Sequence, residues 1–240
     1  MEKIIAFNFK MNLDYNEIKE YVSNIKGKVK NKSVIFCPPT IFLPYFISNE
    51  YSIGAQTISE FDNGAHTGEL SCSQLKSIGG TYAIIGHSER RQTQKEDDLL
   101  INAKVKKALE SGLKVILCIG ETKEEYDMLR TSKVLKREIT HNLKNIDSSL
   151  LENIIIAYEP IWSIGTGVVP SSDEISKTVE FIIDTTFNIY KFKPTVLYGG
   201  SVNEKNITEL NKIENVSGFL IGGASLDSSK VLKIKEVVEK

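Results

Sequence analysis

Short apolar runs recur along the 240-residue sequence at intervals of roughly thirty residues, and each is followed by a polar stretch with helical periodicity. This alternation is typical of parallel strands joined by helices. Eight such units in a chain of this length predict an α/β fold, a closed (β/α)8 barrel formed as a single domain by residues 1–240. The predicted strands are Lys3–Phe9, Ser33–Cys37, Tyr51–Ala55, Thr81–Gly86, Leu113–Ile119, Asn153–Tyr158, Thr195–Tyr198 and Gly218–Ile221.

An open, doubly wound sheet is the alternative architecture. Such a sheet usually has fewer strands and often carries a Gly-x-Gly-x-x-Gly turn after its first strand, where this chain has Asn8-Phe-Lys-Met-Asn12. Thr122 and Ser171 stand where helix N-caps are expected. The clearest predicted helices are Asp14–Val29, Asp98–Leu109, Thr122–Leu143 and Asp173–Tyr190.

Composition excludes several classes of partner. The 30 Lys and Arg residues are balanced by 31 Asp and Glu residues, so no nucleic-acid partner is expected. No apolar run reaches the length of a membrane span, and the N-terminal segment is not a signal peptide. Three cysteines without a Cys-x-x-Cys pair argue against a disulfide framework. We therefore expect a cytoplasmic protein with neither nucleic-acid nor membrane partners.

The segment Ala157–Gly167 combines a strand end, a carboxylate and a loop. Glu159 follows an apolar β-branched run and is followed at once by Pro160. In a (β/α)8 barrel, a carboxylate at the C-terminal end of a strand lies where catalysis takes place. Gly165 and Gly167 would let backbone N–H groups approach a small anion, so the loop suits a lid. An ordinary strand-to-helix loop with a solvated glutamate is the alternative.

Polar groups end four further predicted strands, and a barrel would bring all of them to one mouth. Asn8 and Lys10 end the first strand, and His87 follows the fourth. Glu159 and His87 are the candidates for proton transfer, because a helix N-terminus at His87 would favour a neutral imidazole. A structural histidine and a solvated lysine are the alternatives. No spacing of His, Cys, Asp and Glu predicts a metal site.

Two glycine pairs predict a phosphate site. Gly199-Gly200 and Gly222-Gly223 follow the last two strands and precede predicted helical segments, where N–H groups favour an anion. Simple turns are the alternative.

A separate feature is the long connection 56–71, which contains Phe61 and is longer than a plain βα turn. Loops of this length are usually functional, so we expect an interaction loop in preference to a disordered one.

Six motifs, in order from end to end of the chain, resemble the triosephosphate isomerase family. The resemblance implies a TIM barrel that interconverts dihydroxyacetone phosphate and glyceraldehyde 3-phosphate without a cofactor, as a homodimer. Two alternative functions remain, because fold alone does not fix function: another barrel enzyme that acts on a phosphosugar, and a non-catalytic protein that binds a phosphometabolite. The motifs are Asn8-Phe-Lys10, Gly86-His-Ser-Glu-Arg-Arg91, Cys118-Ile-Gly-Glu121, Ala157-Tyr-Glu-Pro-Ile-Trp162, Tyr198-Gly-Gly-Ser201 and Gly222-Gly-Ala-Ser-Leu226.

The resemblance also implies a role for individual residues. Glu159 would move the proton, neutral His87 would polarise the carbonyl, and Lys10 with Asn8 would stabilise the enediolate. Glu89 and Ser88 would support these groups, and Thr67 would reach the partner subunit's site. Phosphate would bind N–H groups of Gly165, Ser201, Gly222 and Gly223. The lid would comprise Pro160, Ile161, Trp162, Ser163, Ile164, Thr166 and Gly167, together with Gly165.

Three segments depart from the family pattern. Ser163 replaces the usual alanine, which we interpret as a minor polar change, and residues 122–130 lack the usual Arg-Glu-x-Gly pattern. Val168-Val169-Pro170 replaces a lysine-containing hinge that ends in alanine. By this resemblance, Pro170 stands where a backbone N–H bonds the hydroxyl of Tyr198. Because proline has no N–H, we expect that contact to be missing in its usual form.

Overall fold

The computed structural model describes residues 2–29, 32–49 and 51–240. In this part of the chain, eight parallel strands pair in sequence order, and β8 pairs back with β1 to close a barrel. The predicted (β/α)8 fold is thus confirmed, and an open sheet is excluded. The strands are β1 Ile4–Asn8, β2 Val34–Cys37, β3 Ser52–Ala55, β4 Tyr82–Ile85, β5 Lys114–Ile119, β6 Ile154–Tyr158, β7 Thr195–Tyr198 and β8 Gly218–Ile221.

Alternate residues of each strand face two different cores. In β1, Ala6 points into the barrel, whereas Ile5 and Phe7 join the layer between strands and helices. Since both faces are buried, the strands appear in the sequence as continuous apolar runs. The inner core consists of Ala6, Ile35, Cys37, Ile84, Ile116, Cys118, Ile155, Ala157, Leu197 and Leu220.

Helices surround the barrel, and two predicted boundaries were wrong. The first helix ends at Ile25 instead of Val29, because the chain turns through Gly27 at φ 72°. The predicted helix Thr122–Leu143 is two helices, separated by a turn in which Leu129 adopts φ 56°. The α-helices are α1 Tyr15–Ile25, α2 Leu43–Ile47, α3 Cys72–Ser77, α4 Ser88–Thr93, α5 Asp98–Glu110, α6 Lys123–Asp127, α7 Thr131–Asn142, α8 Ser172–Tyr190, α9 Ile207–Leu210 and α10 Ser228–Val238.

The predicted N-caps are confirmed. The side chain of Thr122 accepts from the N–H of Glu125, and that of Ser171 accepts from the N–H of Glu174. In both cases the glutamate side chain bonds back to the N-cap N–H, which completes a capping box. The start of α8 is therefore fixed immediately after the loop that contains Gly167.

The three cysteines are free and buried. Cys37 and Cys118 lie in the inner core, as expected of thiols that act as small hydrophobic groups. Burial raises the pKa of Cys37 to about 12, so its thiol stays protonated. Among the residues that the structure describes, no helix is long and apolar enough to span a bilayer.

Candidate active site

The predicted site residues come together in one cavity of about 400 Å³ at the C-terminal ends of the strands. Charged and polar groups from β1, β4 and β6 lie on one side, and glycine-rich segments lie on the other. A cavity with a few convergent polar groups is the usual form of a small-molecule site. The predicted residues that line it are Asn8, Lys10, His87, Glu159, Ile164, Gly165, Gly167, Ser201, Gly222 and Gly223.

Glu159 is fixed by its backbone and by its carboxylate. Its N–H donates to the carbonyl of Ile119 at 2.8 Å, which extends the pairing of β6 with β5 by one residue. A Cβ on Gly120 would lie 1.8 Å from the carbonyl oxygen of Glu159, so only glycine allows this approach. Glu159 is 2% exposed, and its Oε2 accepts from the N–H of Ser88 at 3.2 Å. Ser88 therefore supports Glu159 through its backbone.

His87 lies between Glu159 and the start of α4. It is the N-cap of that helix, as the sequence predicted, and its Nδ1 accepts from the N–H of Glu89 at 3.2 Å. A nitrogen that accepts carries no proton, so this bond favours a neutral imidazole protonated at Nε2. Nε2 lies 3.2 Å from Oε1 of Glu159. The single N–H of the ring is therefore directed at the carboxylate of Glu159, which lines the same cavity.

Lys10 is held in an uncommon backbone conformation with φ 53°. Its N–H donates to Oδ1 of Asn8 at 3.0 Å, and its Nζ lies 2.6 Å from Oε1 of Glu89. Gln56, which sequence reasoning missed, donates its amide to the carbonyls of Lys10 at 2.7 Å and Cys37 at 2.9 Å. The signal was available, since Gln56 is the first residue after β3, at the same mouth.

The glycine-rich side differs in part from its prediction. A 3-10 helix, Gly223–Leu226, does start at the second pair, but α9 begins only at Ile207, well after Gly199-Gly200. The first pair is thus part of a loop and does not open a helix. In that loop the N–H of Ser201 donates to Oγ of Ser163 at 3.3 Å. The backbone N–H groups of its glycine-rich segments still make this side suitable for an anion.

The lid begins with a 3-10 turn, Ile161–Ser163, anchored on Glu121. The indole of Trp162 donates to Oε1 of Glu121 at 2.9 Å, and the hydroxyl of Tyr158 donates to the same atom at 3.2 Å. Burial raises the pKa of Glu121, although these two donors lower it in part. The ring of Tyr126, from the segment that departs from the family pattern, lies 4.5 Å from Trp162.

Ser163 is not a minor change in this structure. Its hydroxyl lies 2.6 Å from the carbonyl of Val168, 3.3 Å from the N–H of Ser201 and 3.4 Å from the hydroxyl of Tyr198. Pro170 was expected to deprive the hydroxyl of Tyr198 of a backbone partner. In this structure the hydroxyl of Ser163, on the lid, lies beside it as a partner instead.

The long connection 56–71 is ordered by its own contacts. The N–H of Ser59 bonds the carbonyl of Leu70 at 2.8 Å, and the rings of Phe61 and His66 stack at 3.9 Å. Leu70 packs partly against the core of its own barrel, while Thr67 is exposed. A disordered loop is thus excluded, whereas docking on a second subunit stays a prediction.

Comparison with known proteins agrees with this geometry. The sequence matches the family described as Triosephosphate isomerase over residues 3–238. It is 42% identical to the triosephosphate isomerase of Mycoplasmoides gallisepticum, with 98% of each chain covered. It is 40% identical to that of Alkaliphilus metalliredigens, over 96% of this chain and 97% of the relative. It is 39% identical to the triosephosphate isomerase of Wolbachia pipientis wMel, over 100% of this chain and 96% of the relative. The chain therefore belongs to the triosephosphate isomerase family.

Proposed function

We propose that this protein interconverts dihydroxyacetone phosphate and D-glyceraldehyde 3-phosphate through an enediolate, a step of glycolysis and gluconeogenesis. The observation that carries the proposal is the buried pair of Glu159 and His87, 3.2 Å apart, in a cavity whose opposite wall is formed by glycines. One side of the cavity can move protons and the other can hold phosphate. Membership of the family supports the same reaction.

Glu159 acts as the base. Its carboxylate lies at the end of a rigid strand and is nearly excluded from water, which favours proton transfer over solvation. It takes a proton from one substrate carbon and returns it to the neighbouring one. The bonds to Ser88 and His87 hold the carboxylate in place until substrate enters, when it turns toward the substrate carbons.

His87 and Lys10 stabilise the charge that develops on the oxygens. The Nε2–H of a neutral imidazole donates to the carbonyl oxygen and can pass a proton between the two oxygens. Lys10 supplies a positive charge at the same mouth, and Glu89 fixes its position. Asn8 and Gln56 maintain the backbone of Lys10. No cofactor is required, because the carbonyl makes the adjacent C–H acidic enough for assisted abstraction.

The phosphate binds the N–H groups of Gly165, Ser201, Gly222 and Gly223. A charged phosphate oxygen is a stronger acceptor than a serine hydroxyl, so it takes over the long bond that the N–H of Ser201 makes with Ser163. The lid then keeps water away from the enediolate, which would otherwise lose phosphate.

We also propose a cytoplasmic homodimer. Four large apolar residues are exposed near one another in the topology: Met11 (95% exposed), Tyr15 (60%), Ile41 (78%) and Phe61 (46%). They follow β1, β2 and β3, which are neighbours at one sector of the barrel mouth. Four of the ten large apolar residues that are exposed in the described part of the chain share this sector, and exposed apolar groups that lie together are typical of protein interfaces. Thr67 in the same sector would approach Asn8 and Lys10 of the second subunit. The free cysteines agree with a reducing compartment.

A coupled assay with each triose phosphate tests the reaction, and deuterium uptake from D2O at C2 of glyceraldehyde 3-phosphate tests the enediolate. We expect turnover in both directions with deuterium incorporation. Glu159→Gln should abolish both signals, whereas Glu152→Gln, which changes an exposed glutamate on the far 3-10 turn Ser148–Asn153, should retain them. Phosphate binding without turnover would instead support the non-catalytic alternative, and turnover of another phosphosugar alone would support a different barrel enzyme.

A further inference from the structure

The hydroxyl of Ser163 uses its full hydrogen-bonding capacity. A serine hydroxyl has one proton to donate and two lone pairs that accept. The proton goes to the carbonyl of Val168, since that contact is 2.6 Å long and a carbonyl can only accept. The lone pairs face the N–H of Ser201 at 3.3 Å and the hydroxyl of Tyr198 at 3.4 Å. Tyr198 is therefore the donor in its contact with Ser163.

The surroundings fit this arrangement closely. Ser163 and Tyr198 are fully buried, and burial raises the pKa of Tyr198 to about 12, so its phenol keeps the proton that it donates. A Cβ on Gly200 would lie 2.2 Å from the hydroxyl of Tyr198 and 2.9 Å from that of Ser163. A side chain at position 200 would thus separate the two hydroxyls.

Ser201 bonds Ser163 a second time. The hydroxyl of Ser201 donates to the carbonyl of Ser163 at 2.6 Å and accepts from the N–H of Gly167 at 3.3 Å. Together these bonds join the start of the lid, its end at Gly167 and Val168, and the loop after β7. Alanine at position 163 would leave three polar groups without this partner.

We propose that Ser163 is a positioning residue, whose hydroxyl couples the lid to the phosphate-binding loop through Val168, Ser201 and Tyr198. It fixes the lid end that carries Gly167 and orients the Ser201 N–H before phosphate arrives. The proposal rests on the isomerase function proposed above, and it extends that function to a residue that makes no contact with the reacting carbons.

The test compares Ser163→Ala, Tyr198→Phe and the double variant. For the triose phosphates, we expect Ser163→Ala to lower kcat/KM about tenfold and Tyr198→Phe about threefold, from the loss of several hydrogen bonds and of one. The double variant should equal Ser163→Ala, because the Tyr198 contact is already absent there. Glyceraldehyde, which lacks phosphate, should be turned over at the wild-type rate by Ser163→Ala, since it cannot use the phosphate loop.

Trp162 provides an independent readout, because it is the single tryptophan of the chain and lies next to Ser163. Binding of 2-phosphoglycolate should change its fluorescence, and Ser163→Ala should raise the dissociation constant about tenfold. Ser176→Ala, which removes a half-buried hydroxyl of α8 that donates to Asn215 and not to a lid residue, is the matched control and should behave as wild type.

Three results would overturn the proposal: wild-type kinetics in Ser163→Ala, an equal loss with glyceraldehyde, or losses that multiply in the double variant. If Ser163→Ala does not fold, Tyr198→Phe must still reduce turnover of the triose phosphates but not of glyceraldehyde. Failure of the wild-type protein to isomerise either triose phosphate would instead refute the proposed function.

Discussion

The two ends of the lid are held by different kinds of contact. At the first end, the N–H of Ile161 bonds the carbonyl of Glu121 at 3.0 Å, and the indole of Trp162 bonds the carboxylate of the same residue. At the second end, Gly167 and Val168 are held by hydroxyls of Ser163, Thr166 and Ser201. Val168 is 54% exposed.

This difference indicates how the lid works. The first end is tied to the barrel by a buried carboxylate and by backbone pairing, so it keeps Glu159 in place. The second end is held by neutral hydroxyl bonds, each worth only about 0.5–1.5 kcal/mol, which thermal motion can break and remake. We therefore expect the first end to set the position of the base and the second end to open and close over phosphate.

Glu159→Asp tests whether the first end is fixed, and it should have the largest effect. Aspartate withdraws the carboxylate by one C–C bond, and a backbone paired with β5 cannot follow. We expect kcat to fall at least about a hundredfold, within the usual range of general-base catalysis. The affinity for 2-phosphoglycolate, measured by fluorescence of Trp162, should change much less. A kcat near that of the wild type would show that the first end moves, or that another group is the base.

Tyr126→Ala tests the aromatic contact at the first end. The ring of Tyr126 lies 4.5 Å from that of Trp162, and its hydroxyl donates to Glu174 at 3.0 Å. Its removal frees the indole on one side, so we expect kcat to fall about fivefold, equivalent to an aromatic pair of roughly 1 kcal/mol. Tyr126→Phe keeps the ring and should retain most of the activity. Equal losses in the two variants would assign the effect to Glu174 instead.

Glu121→Gln tests the charge of the first anchor through the pH dependence of stability. The folded-state pKa of Glu121 is raised above its ordinary value of 4.5, chiefly by burial. A group with a raised pKa contributes to the stability of the folded state. That contribution is fully present below the unfolded-state pKa and is lost as pH rises through the folded-state pKa. Glutamine keeps the acceptor and does not titrate.

The Tm of Glu121→Gln relative to wild type should therefore increase as pH rises above 4.5, the ordinary pKa of the carboxyl, and through its raised folded-state pKa. For a chain of this size, each 1 kcal/mol of stability gained raises the Tm by about 2–4 °C. A pH-independent difference between the two proteins would mean that Glu121 does not change its charge in this range.

The barrel and the first end of the lid could be predicted from sequence, because their signals are local. Buried strands appear as apolar runs, and Glu159 and His87 stand directly at strand ends. The split between α6 and α7 could not be predicted from periodicity. Leu129 adopts a left-handed conformation there, and the sequence has no glycine at that position to indicate it. At this turn, tertiary structure outweighs the helix propensity of the local sequence.

The second end of the lid was harder to predict, because its contacts join residues far apart in the chain. Ser163 meets Tyr198 and Ser201, which are 35 and 38 residues away. Read alone, a serine in place of alanine gives no sign that its hydroxyl will have three neighbours. For Gln56 the position directly after β3 was a local signal, but its bond to Lys10 spans 46 residues and could not be predicted.

Pro170→Ala tests the second end and should have the smallest effect. Alanine restores a backbone N–H at this position and removes the restriction that proline places on Val169. Because Ser163 already bonds Tyr198, we expect kcat to change by no more than about twofold, the value of one weak hydrogen bond. In this background the restored N–H offers Tyr198 a second partner, so Tyr198→Phe should become more harmful than in the wild-type chain. Steady-state kinetics of the wild type, the two single variants and the double variant measure that difference. If Tyr198→Phe has the same cost with and without the Pro170→Ala change, the hydroxyl of Tyr198 serves Ser163 alone, and the second end depends entirely on side-chain hydroxyls.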